Sequence, residues 1–399
     1  MSASVVTIAD PVTGSRASTA PSLGFNCFSY QAPLRGRLIE TLWAHPELLG
    51  GGQRPSGSGI PILFPFGGRM PGTSFEHQGA TYQLEEGDGR GNAIHGFVMS
   101  RPWRVVDQQA DSVTGEFQAS VDDPSLLARW PADFRVTCRY ALGADGLLSE
   151  FVVDNPSDRV LPFGLATHAY FRIPPGGGPE FDEAEQTVLR VPVSDQWELA
   201  GLIPTGRRLG AGDFADMPRG MELRGRVFDN VFTGLAYDAG RTTTSVHNPA
   251  VGCTLVQTFD DSFRHAVVYT PPHREAICIE PYTALPPFKK AFDDRYVEPS
   301  KDEGFKKAAT AQGCNICHVK GMPKTMINDY GAVLKDLIPG EANARLKKAD
   351  EAGGAAAKQA ETKLLLRELG DAFSKSEGMK AKPADAETFG DRLKAKKLP

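Results

Sequence analysis

Short runs of β-branched and aromatic residues follow one another over residues 22–290, with turn residues between them. The segments RPWRVVDQQ, SVTGEFQASV, FRVTCRYALG and LLSEFVVDNPS are typical, because apolar and polar residues alternate within them. Alternation with a period of two indicates antiparallel strands that are buried on one face. So many strands over so long a span predict a mainly β fold, a large antiparallel β-sandwich rather than a small barrel.

The basic residues change type abruptly at Phe288–Lys289. No lysine occurs in the first 288 residues, whereas the remainder contains eighteen. A single fold seldom changes its basic residue so sharply, so the break predicts two modules. We expect a β-sandwich over residues 22–290, a linker over 291–300 and a small all-α domain over 301–399. In the last module Ala, Leu, Lys and Glu dominate, as is typical of helices.

Charge and hydropathy exclude several classes of partner. Residues 301–399 hold 19 Lys and Arg against 14 Asp and Glu, and neither module has the dense basic stripe of a nucleic-acid binder. The longest apolar runs are too short to span a membrane. The first residues lack a basic segment before an apolar core, so we expect no secretory signal and a cytoplasmic protein. Four scattered cysteines are expected to be buried, reduced thiols: Cys27, Cys138, Cys253 and Cys278.

Two ionisable residues lie among apolar neighbours at the ends of strand-like segments. They are His168 in LPFGLATHAYFRI and Glu280 in AICIEPYT, and burial could tune both towards acid–base work near neutral pH. Arg69, His95 and Asp229 are candidates for holding ligand oxygens. Each residue alone also fits an ordinary structural role, such as a hydrogen-bonded core histidine or a turn-forming carboxylate. No HxH or HExxH pattern indicates a zinc site.

Five segments considered together favour one family. In order they are GIPILFPFGGRM, GNAIHGFVMSRPW, LPFGLATHAYFRI, FDNVFTGL and ICIEPYT. As a set, over residues 22–287, they resemble the aldose 1-epimerase (galactose mutarotase-like) family. The resemblance implies a large antiparallel β-sandwich with a sugar in an open cleft. It also implies an isomerase that interconverts the α and β anomers of an aldohexose.

The resemblance assigns a role to each candidate. His168 would be the general acid that protonates the ring oxygen, and Glu280 the general base that takes the anomeric hydroxyl proton. Arg69, His95 and Asp229 would orient sugar hydroxyls. The reaction needs no metal or redox cofactor, only an acid and a base about a sugar ring apart.

The chain departs from the family pattern after the E-P-Y-T segment. The family continues through further strands there, whereas ALPPF leads directly into lysine-rich sequence. We therefore expect a sandwich without its last strands and an unpaired edge beside Glu280. The resemblance also gives Phe171, three residues after His168, as an apolar face for the sugar.

The second module contains Cys314-Asn315-Ile316-Cys317-His318, the C-x-x-C-H attachment motif of c-type haem. Cys314 and Cys317 would bond the haem vinyl groups and His318 would ligate the iron. Met379 is the candidate for the sixth ligand. The segment resembles a small cytochrome c-like domain, which implies covalent haem c, electron transfer and a redox partner.

Other interpretations of both modules stay open. The motif could be part of a zinc site, a dithiol redox pair or a relic without haem, although neither a second cysteine pair nor a βαβ pattern accompanies it. Haem is attached outside the cytoplasm, so a haem protein here would be periplasmic, and a fused reading frame is a further alternative. For the whole chain, the alternatives are a non-catalytic carbohydrate-binding module and an electron carrier with an inert sandwich.

Overall fold

The computed structural model describes most of the first 283 residues and parts of the remainder: residues 3–77, 80–176, 186–283 and 329–338, single positions between 345 and 369, and residues 371–379 and 388–395. Two compact units divide the chain. The first consists of Met1–Phe75, Tyr82–Ala236 and Gly240–Ala284, and the second of Glu76–Thr81, Tyr237–Ala239 and Leu285–Pro399.

The described residues before position 284 form 24 strands. The first twelve are β1 (Val6–Ala9), β2 (Arg16–Ala20), β3 (Asn26–Leu34), β4 (Arg37–Glu40), β5 (Ile62–Leu63), β6 (Arg69–Met70), β7 (Ser74–His77), β8 (Ala80–Gln83), β9 (Ala93–Ile94), β10 (Arg104–Gln108), β11 (Ser112–Gln118) and β12 (Arg135–Gly143). The other twelve are β13 (Gly146–Asp154), β14 (Ala166–Thr167), β15 (Ala169–Arg172), β16 (Val188–Arg190), β17 (Asp195–Ala200), β18 (Ile203–Gly210), β19 (Met221–Glu222), β20 (Asp229–Thr233), β21 (Arg241–Asn248), β22 (Cys253–Asp260), β23 (Phe263–Tyr269) and β24 (Ala276–Thr283).

Helical turns in this part of the chain are short. One α-helical turn covers Ala119–Asp122, and the 3₁₀ turns cover Leu48–Gly50, Pro55–Gly57, Val98–Ser100, Pro124–Ala128 and Gly212–Phe214.

The largest sheet has eight strands in the order β18-β17-β20-β23-β24-β14-β5, and β15 also pairs with β24. The other sheets are β1-β2-β3-β4, β10-β11-β12-β13, β19-β16-β21-β22, β6-β9 and β7-β8. Aromatic side chains fill the core between elements. Phe25 stacks on Trp103 and Tyr140 at ring-centroid distances of 5.8 and 5.5 Å, and it is fully buried. The prediction of a mainly β sandwich is confirmed.

The sandwich begins earlier than the predicted boundary at residue 22. Strands β1 and β2 precede that residue, and β2 pairs with β3 along Arg16↔Gln31 to Ala20↔Asn26. Both strands are short and rich in Thr, Ser and Ala, so their alternation is too weak to be recognised in the sequence.

Strand β24 lies inside the sheet. Glu280 is opposite Val267 on β23, and on the other side Ile279 is opposite Ala169 on β15. The prediction of an unpaired edge beside Glu280 is therefore wrong, because β14 and β15, from earlier in the chain, occupy that side. Whether later strands are missing concerns residues 284–328, which lie outside the described residues.

The described C-terminal pieces are helical, as the composition predicted. Helices cover Asp329–Leu337 and Phe389–Lys394, and residues 371–376 are also helical. Thr388 and Asp391 form a capping box at the start of the last helix. The predicted linker at 291–300 lies outside the described residues. No helix in the described part of the chain is long and apolar enough to cross a membrane. The four cysteines of the first unit are free and buried, as predicted.

Candidate active site

His168 lies between two short strands that border β24. Its backbone N–H donates to the carbonyl of Pro61 at 3.0 Å, and that of Tyr170 donates to Gly59 at 2.8 Å. Successive side chains along a strand point to opposite faces, so Glu280 shares its face of β24 with Cys278. Because strand pairing holds both segments, His168 and Glu280 meet although they are far apart in the sequence.

The two side chains are in direct contact. The Nε2 atom of His168 lies 3.2 Å from Oε1 of Glu280, and the side chains are 7% and 2% exposed. Burial raises the pKa of Glu280 well above its usual range, while the hydroxyl of Tyr282 opposes this shift by donating to Oε2 at 3.2 Å. Burial lowers the pKa of His168 to about 3. Both shifts favour the uncharged forms, a neutral imidazole beside a protonated carboxyl group.

This geometry differs from the expected separation of a sugar ring between acid and base. The distance between His168 and Glu280 is that of a hydrogen bond, because both side chains project from adjacent strand segments onto one sheet face. The pair can therefore pass a proton directly between its two members.

Three aromatic neighbours hold the imidazole ring of His168. Tyr170 stacks on it with centroids 4.7 Å apart and an interplanar angle of 4°. Tyr269 and His95 contact it edge-on, at centroid distances of 5.9 and 5.5 Å. The ring orientation is thus set by packing on several sides.

His95 sits in an unusual backbone conformation, with φ = 67°. The next residue, Gly96, has φ = 68°, and a Cβ there would lie 2.1 Å from the carbonyl oxygen of Phe64. The glycine therefore lets this turn approach Phe64 closely and aim His95 at His168. Burial, followed by the charges of His168 and Arg69, lowers the pKa of His95 well below its usual value, so the imidazole is neutral.

Arg69 is held by a buried carboxylate. Its Nε donates to Oδ2 of Asp88 at 3.2 Å, and the Asp88 side chain is 1% exposed. Asp88 also accepts from the Nδ2 and backbone N–H of Asn92, at 2.9 and 3.0 Å. These bonds, with the side chain of Asn92 first, lower the pKa of Asp88 to about 2. The carboxylate is therefore ionised and anchors the guanidinium.

Asp229 is the first residue of β20, and the strand pairing places it on the same sheet face as Glu280. It is opposite Tyr269 on β23, and Tyr269 is opposite Cys278 on β24. Burial raises the pKa of Asp229, and the positive charge of Arg69 opposes that shift. The carboxylate is thus half-buried near the guanidinium.

Two imidazole nitrogens of this site lack partners within the described part of the chain. The Nδ1 atoms of His95 and His168 are buried and make no hydrogen bond there. Buried polar atoms without a partner are uncommon in folded proteins. Hydroxyl groups, which both donate and accept, would satisfy them, so the site chemistry suits a polyhydroxylated ligand.

The structure brings the five candidates of the sandwich together and separates one other residue from them. The candidates are His168, Glu280, Arg69, His95 and Asp229. Phe171 is opposite Ile277, so it faces the other side of the sheet, and the expectation that it contacts the ligand is wrong. Tyr170, one residue earlier, stacks on His168 instead.

Sequence reasoning missed the tyrosines of the site and the anchor of Arg69. Tyr170 and Tyr282 lie two residues from His168 and Glu280, so strand alternation could have placed them on the same face. The cluster GDGRGN could have indicated a turn in which Asp88 binds backbone N–H groups.

The haem candidates Cys314, Cys317 and His318 lie outside the described residues. Met379 is described and is 40% exposed. Within the described part of the chain, no three His, Cys, Asp or Glu side chains are grouped as a metal site requires.

The sequence profile of aldose 1-epimerases matches residues 29–304, which is more than half of the chain. The chain therefore belongs to the aldose 1-epimerase family. The match ends before Cys314, so it does not include the haem motif.

A curated relative is the uncharacterized protein YphB of Escherichia coli (strain K12). It is 30% identical over 149 residues, which are 35% of this chain and 48% of YphB. The chain thus spans about half the length of this relative.

Solved structures show the same fold. A galactose mutarotase-like protein from Clostridium acetobutylicum superposes with a TM-score of 0.61 at 19% identity, over 71% of this chain and 89% of that chain. The GalM/aldose epimerase homologue from C. elegans gives 0.57 at 18% identity, over 70% and 89%. The Slr1438 protein from Synechocystis sp. PCC 6803 gives 0.56 at 23% identity, over 71% and 86%. The first unit is therefore a mutarotase-like β-sandwich.

Proposed function

We propose that the chain is an isomerase that interconverts the α and β anomers of an aldohexose by acid–base ring opening. The observation that carries the proposal is the buried 3.2 Å contact between His168 Nε2 and Glu280 Oε1. Membership of the aldose 1-epimerase family supports it. So does the clustering of Arg69, His95 and Asp229 near the same pair.

In the proposed reaction the two side chains move protons in opposite directions. The Glu280 carboxylate takes the proton of the anomeric hydroxyl, the C1–O1 bond becomes a carbonyl, and the C1–O5 bond breaks. The ring oxygen O5 takes a proton from the protonated His168. Rotation about C1–C2 then exposes the other carbonyl face, and the reverse transfers close the ring and restore both side chains.

The charge state of the pair suits this reaction. A neutral His168 with a protonated Glu280 contains the same number of protons as an imidazolium with a carboxylate. One transfer across the 3.2 Å contact therefore produces the reactive form without exchange with solvent. The Tyr282 hydroxyl, 3.2 Å from Oε2, stabilises the carboxylate once it forms.

Three further side chains would orient the sugar. Arg69, anchored through Nε by Asp88, offers its remaining N–H groups to ligand oxygens. Asp229 offers a half-buried acceptor, and neutral His95 offers its unpaired Nδ1. Such positioning raises the rate by holding the reacting hydroxyl against the base.

Polarimetry of freshly dissolved α-D-glucose or α-D-galactose tests the proposal with the full chain. Mutarotation faster than the spontaneous rate, and proportional to protein concentration, is expected. Saturable sugar binding with no acceleration would overturn catalysis and identify a carbohydrate-binding module instead.

We propose separately that Cys314 and Cys317 attach haem c, with His318 and Met379 as iron ligands. The C-x-x-C-H spacing supports this proposal. When bound, such a haem would transfer electrons to or from a redox partner, such as an enzyme that oxidises the sugar. The intact mass of the native protein is expected to equal that of the chain plus one haem. A reduced haem absorbance band is expected to remain after denaturation. A mass equal to the bare chain would overturn it.

A further inference from the structure

The sheet face that carries Glu280 continues across three neighbouring strands. Tyr282 on β24 is opposite His265 on β23, His265 is opposite Thr233 on β20, and Thr233 is opposite Asp195 on β17. Residues opposite one another in an antiparallel sheet project to the same side. Trp197, two residues after Asp195, shares that side.

The interaction between Trp197 and His265 determines where the histidine carries its proton. The indole Nε1–H donates to Nδ1 of His265 at 3.3 Å, and the rings meet edge-on with centroids 5.8 Å apart. An indole N–H only donates, so Nδ1 is the unprotonated acceptor and Nε2 carries the proton. Burial, then the charges of Arg208 and Arg264, lowers the pKa of His265 to about 4. At neutral pH His265 is thus an uncharged imidazole whose Nε2–H is a donor.

A polar rim borders Trp197 on the next strand. Arg208 is opposite Trp197 in the register of β18, and its Nη2 donates to Oδ2 of Asp195 at 2.6 Å. The Oγ of Ser194 donates to the same oxygen at 2.6 Å. Gly234 packs closely against Ser194 and Arg208, because a Cβ at position 234 would lie 2.2 Å from Ser194 Oγ and 2.7 Å from Arg208 Nη2. The guanidinium is therefore held in place, yet its side chain is 44% exposed.

Two strand irregularities lie beside the aromatic pair. The register shifts between Trp197 and Leu199, and again between Phe263 and His265. A bulge bends its strand and changes the direction of the adjacent side chains. Trp197 and His265 are both only partly buried, so each has surface left for a ligand.

The distance along the face limits what can reach this group. From β24 to β17 there are three strand spacings, about 14 Å in total. One pyranose ring bound at Glu280 cannot span that distance. A second ring linked to the first would lie over His265 and Trp197, with Val267 and Val231 as an apolar floor between the two positions.

We propose that Trp197, His265 and Arg208 form a second sugar-binding site, the Trp197 subsite, which selects a reducing disaccharide over a free hexose. The indole offers an apolar ring face to a pyranose, while the N–H groups of His265 and Arg208 donate to its hydroxyls. The inference rests on the proposed function, since the reducing ring is the one that would react at His168 and Glu280.

Polarimetry with matched sugars tests the subsite. Freshly dissolved α-lactose and β-maltose both end in a reducing glucose, so kcat/KM for each is divided by kcat/KM for the same anomer of D-glucose. In the full chain both ratios are expected to exceed one. Trp197→Ala is expected to lower them about tenfold, and Trp197→Phe, which keeps an aromatic ring, is expected to recover part of the loss.

The arginines of β18 provide a matched control. Arg208→Ala removes a donor of the subsite and is expected to lower the ratios about threefold. Arg207→Ala, on the opposite face of the strand, removes a comparable surface ion pair with Glu198 and is expected to leave them unchanged. Circular dichroism and thermal midpoints establish that every variant folds.

The outcomes separate this inference from the proposed function. If glucose mutarotates but the ratios are the same in the native chain and Trp197→Ala, the subsite is overturned and the isomerase proposal stands. If no sugar mutarotates, calorimetry with methyl β-lactoside decides. Binding that Trp197→Ala abolishes supports the subsite alone, and no binding overturns both.

Discussion

On one face of the largest sheet, two histidines each contact a different partner: His168 contacts Glu280, and His265 contacts Trp197. The two partners differ in whether they can accept a proton. Glu280 can accept a proton from His168 or donate one to it across 3.2 Å. Trp197 can only donate to His265. In the proposed function the same imidazole group thus belongs to a proton-transfer pair at one position, and at the other position it is a neutral donor. The partner, not the residue type, decides the chemistry.

The pKa shifts alone would not separate the two histidines. Burial lowers the pKa of His168 to about 3 and that of His265 to about 4. Both imidazoles are therefore neutral near pH 7. The distinction comes from geometry, because the carboxyl group of Glu280 faces Nε2 of His168 whereas an indole N–H and Thr233 face Nδ1 of His265.

Replacing the carboxylate of the first pair gives the largest expected effect. Glu280→Gln preserves the shape of the side chain but cannot take a proton from the anomeric hydroxyl. We expect kcat/KM for mutarotation to fall on the order of a thousandfold, as measured by polarimetry.

A nearby glutamate provides the control for this variant. Glu275 precedes β24 and accepts a hydrogen bond from the Trp43 indole at 2.6 Å. Since an amide oxygen can still accept that bond, Glu275→Gln is expected to retain the native rate. Equal rates in Glu280→Gln and the native chain would show that the pair has no acid–base role.

Removing the hydroxyl of Tyr282 sharpens the comparison with a smaller effect. This hydroxyl donates to Glu280 and lowers its pKa against the effect of burial, so Tyr282→Phe raises that pKa further. The proposed reaction needs one titratable proton on the pair, and a Glu280 with a higher pKa loses that proton only at higher pH. A higher pKa also disfavours the imidazolium–carboxylate form, so we expect the high-pH limb of kcat/KM to move upwards and the rate near neutrality to fall about tenfold. An unmoved limb would contradict the positioning role.

The second pair predicts an effect on stability instead. The pKa of His265 is about 4 in the folded chain, below its ordinary value, so the unfolded chain binds a proton first as the pH falls. The contribution of His265 is complete above about pH 6.5 and is lost towards pH 4. Urea unfolding at pH 7 and pH 4 measures how much the free energy of unfolding falls between the two pH values. We expect this fall to be smaller in His265→Asn than in the native chain, by about 1–3 kcal/mol. An equal fall in the free energy of unfolding in the two proteins would contradict this prediction.

Much of the fold and the site could be predicted from short segments. Alternation in β11, β12 and β13 predicted half-buried strands, and the apolar neighbours of His168 and Glu280 marked them as candidates. It was harder to predict which face of the sheet each side chain occupies. Phe171 was expected at the site, whereas the register places it on the opposite face. Alternation relates residues within one strand but does not say how that strand pairs with another.

Local sequence was therefore sufficient for strand periodicity, for the choice of ionisable residues and for the Cys314–His318 spacing, because each depends on near neighbours along the chain. Pairing between distant strands was needed to make β24 an interior strand and to bring His168 onto Glu280. The pairing of β17, β20 and β23 likewise brought the Trp197 indole to His265, where its N–H sets the tautomer. Proton positions and burial depend on such long-range contacts, so these properties arise when the sheet assembles.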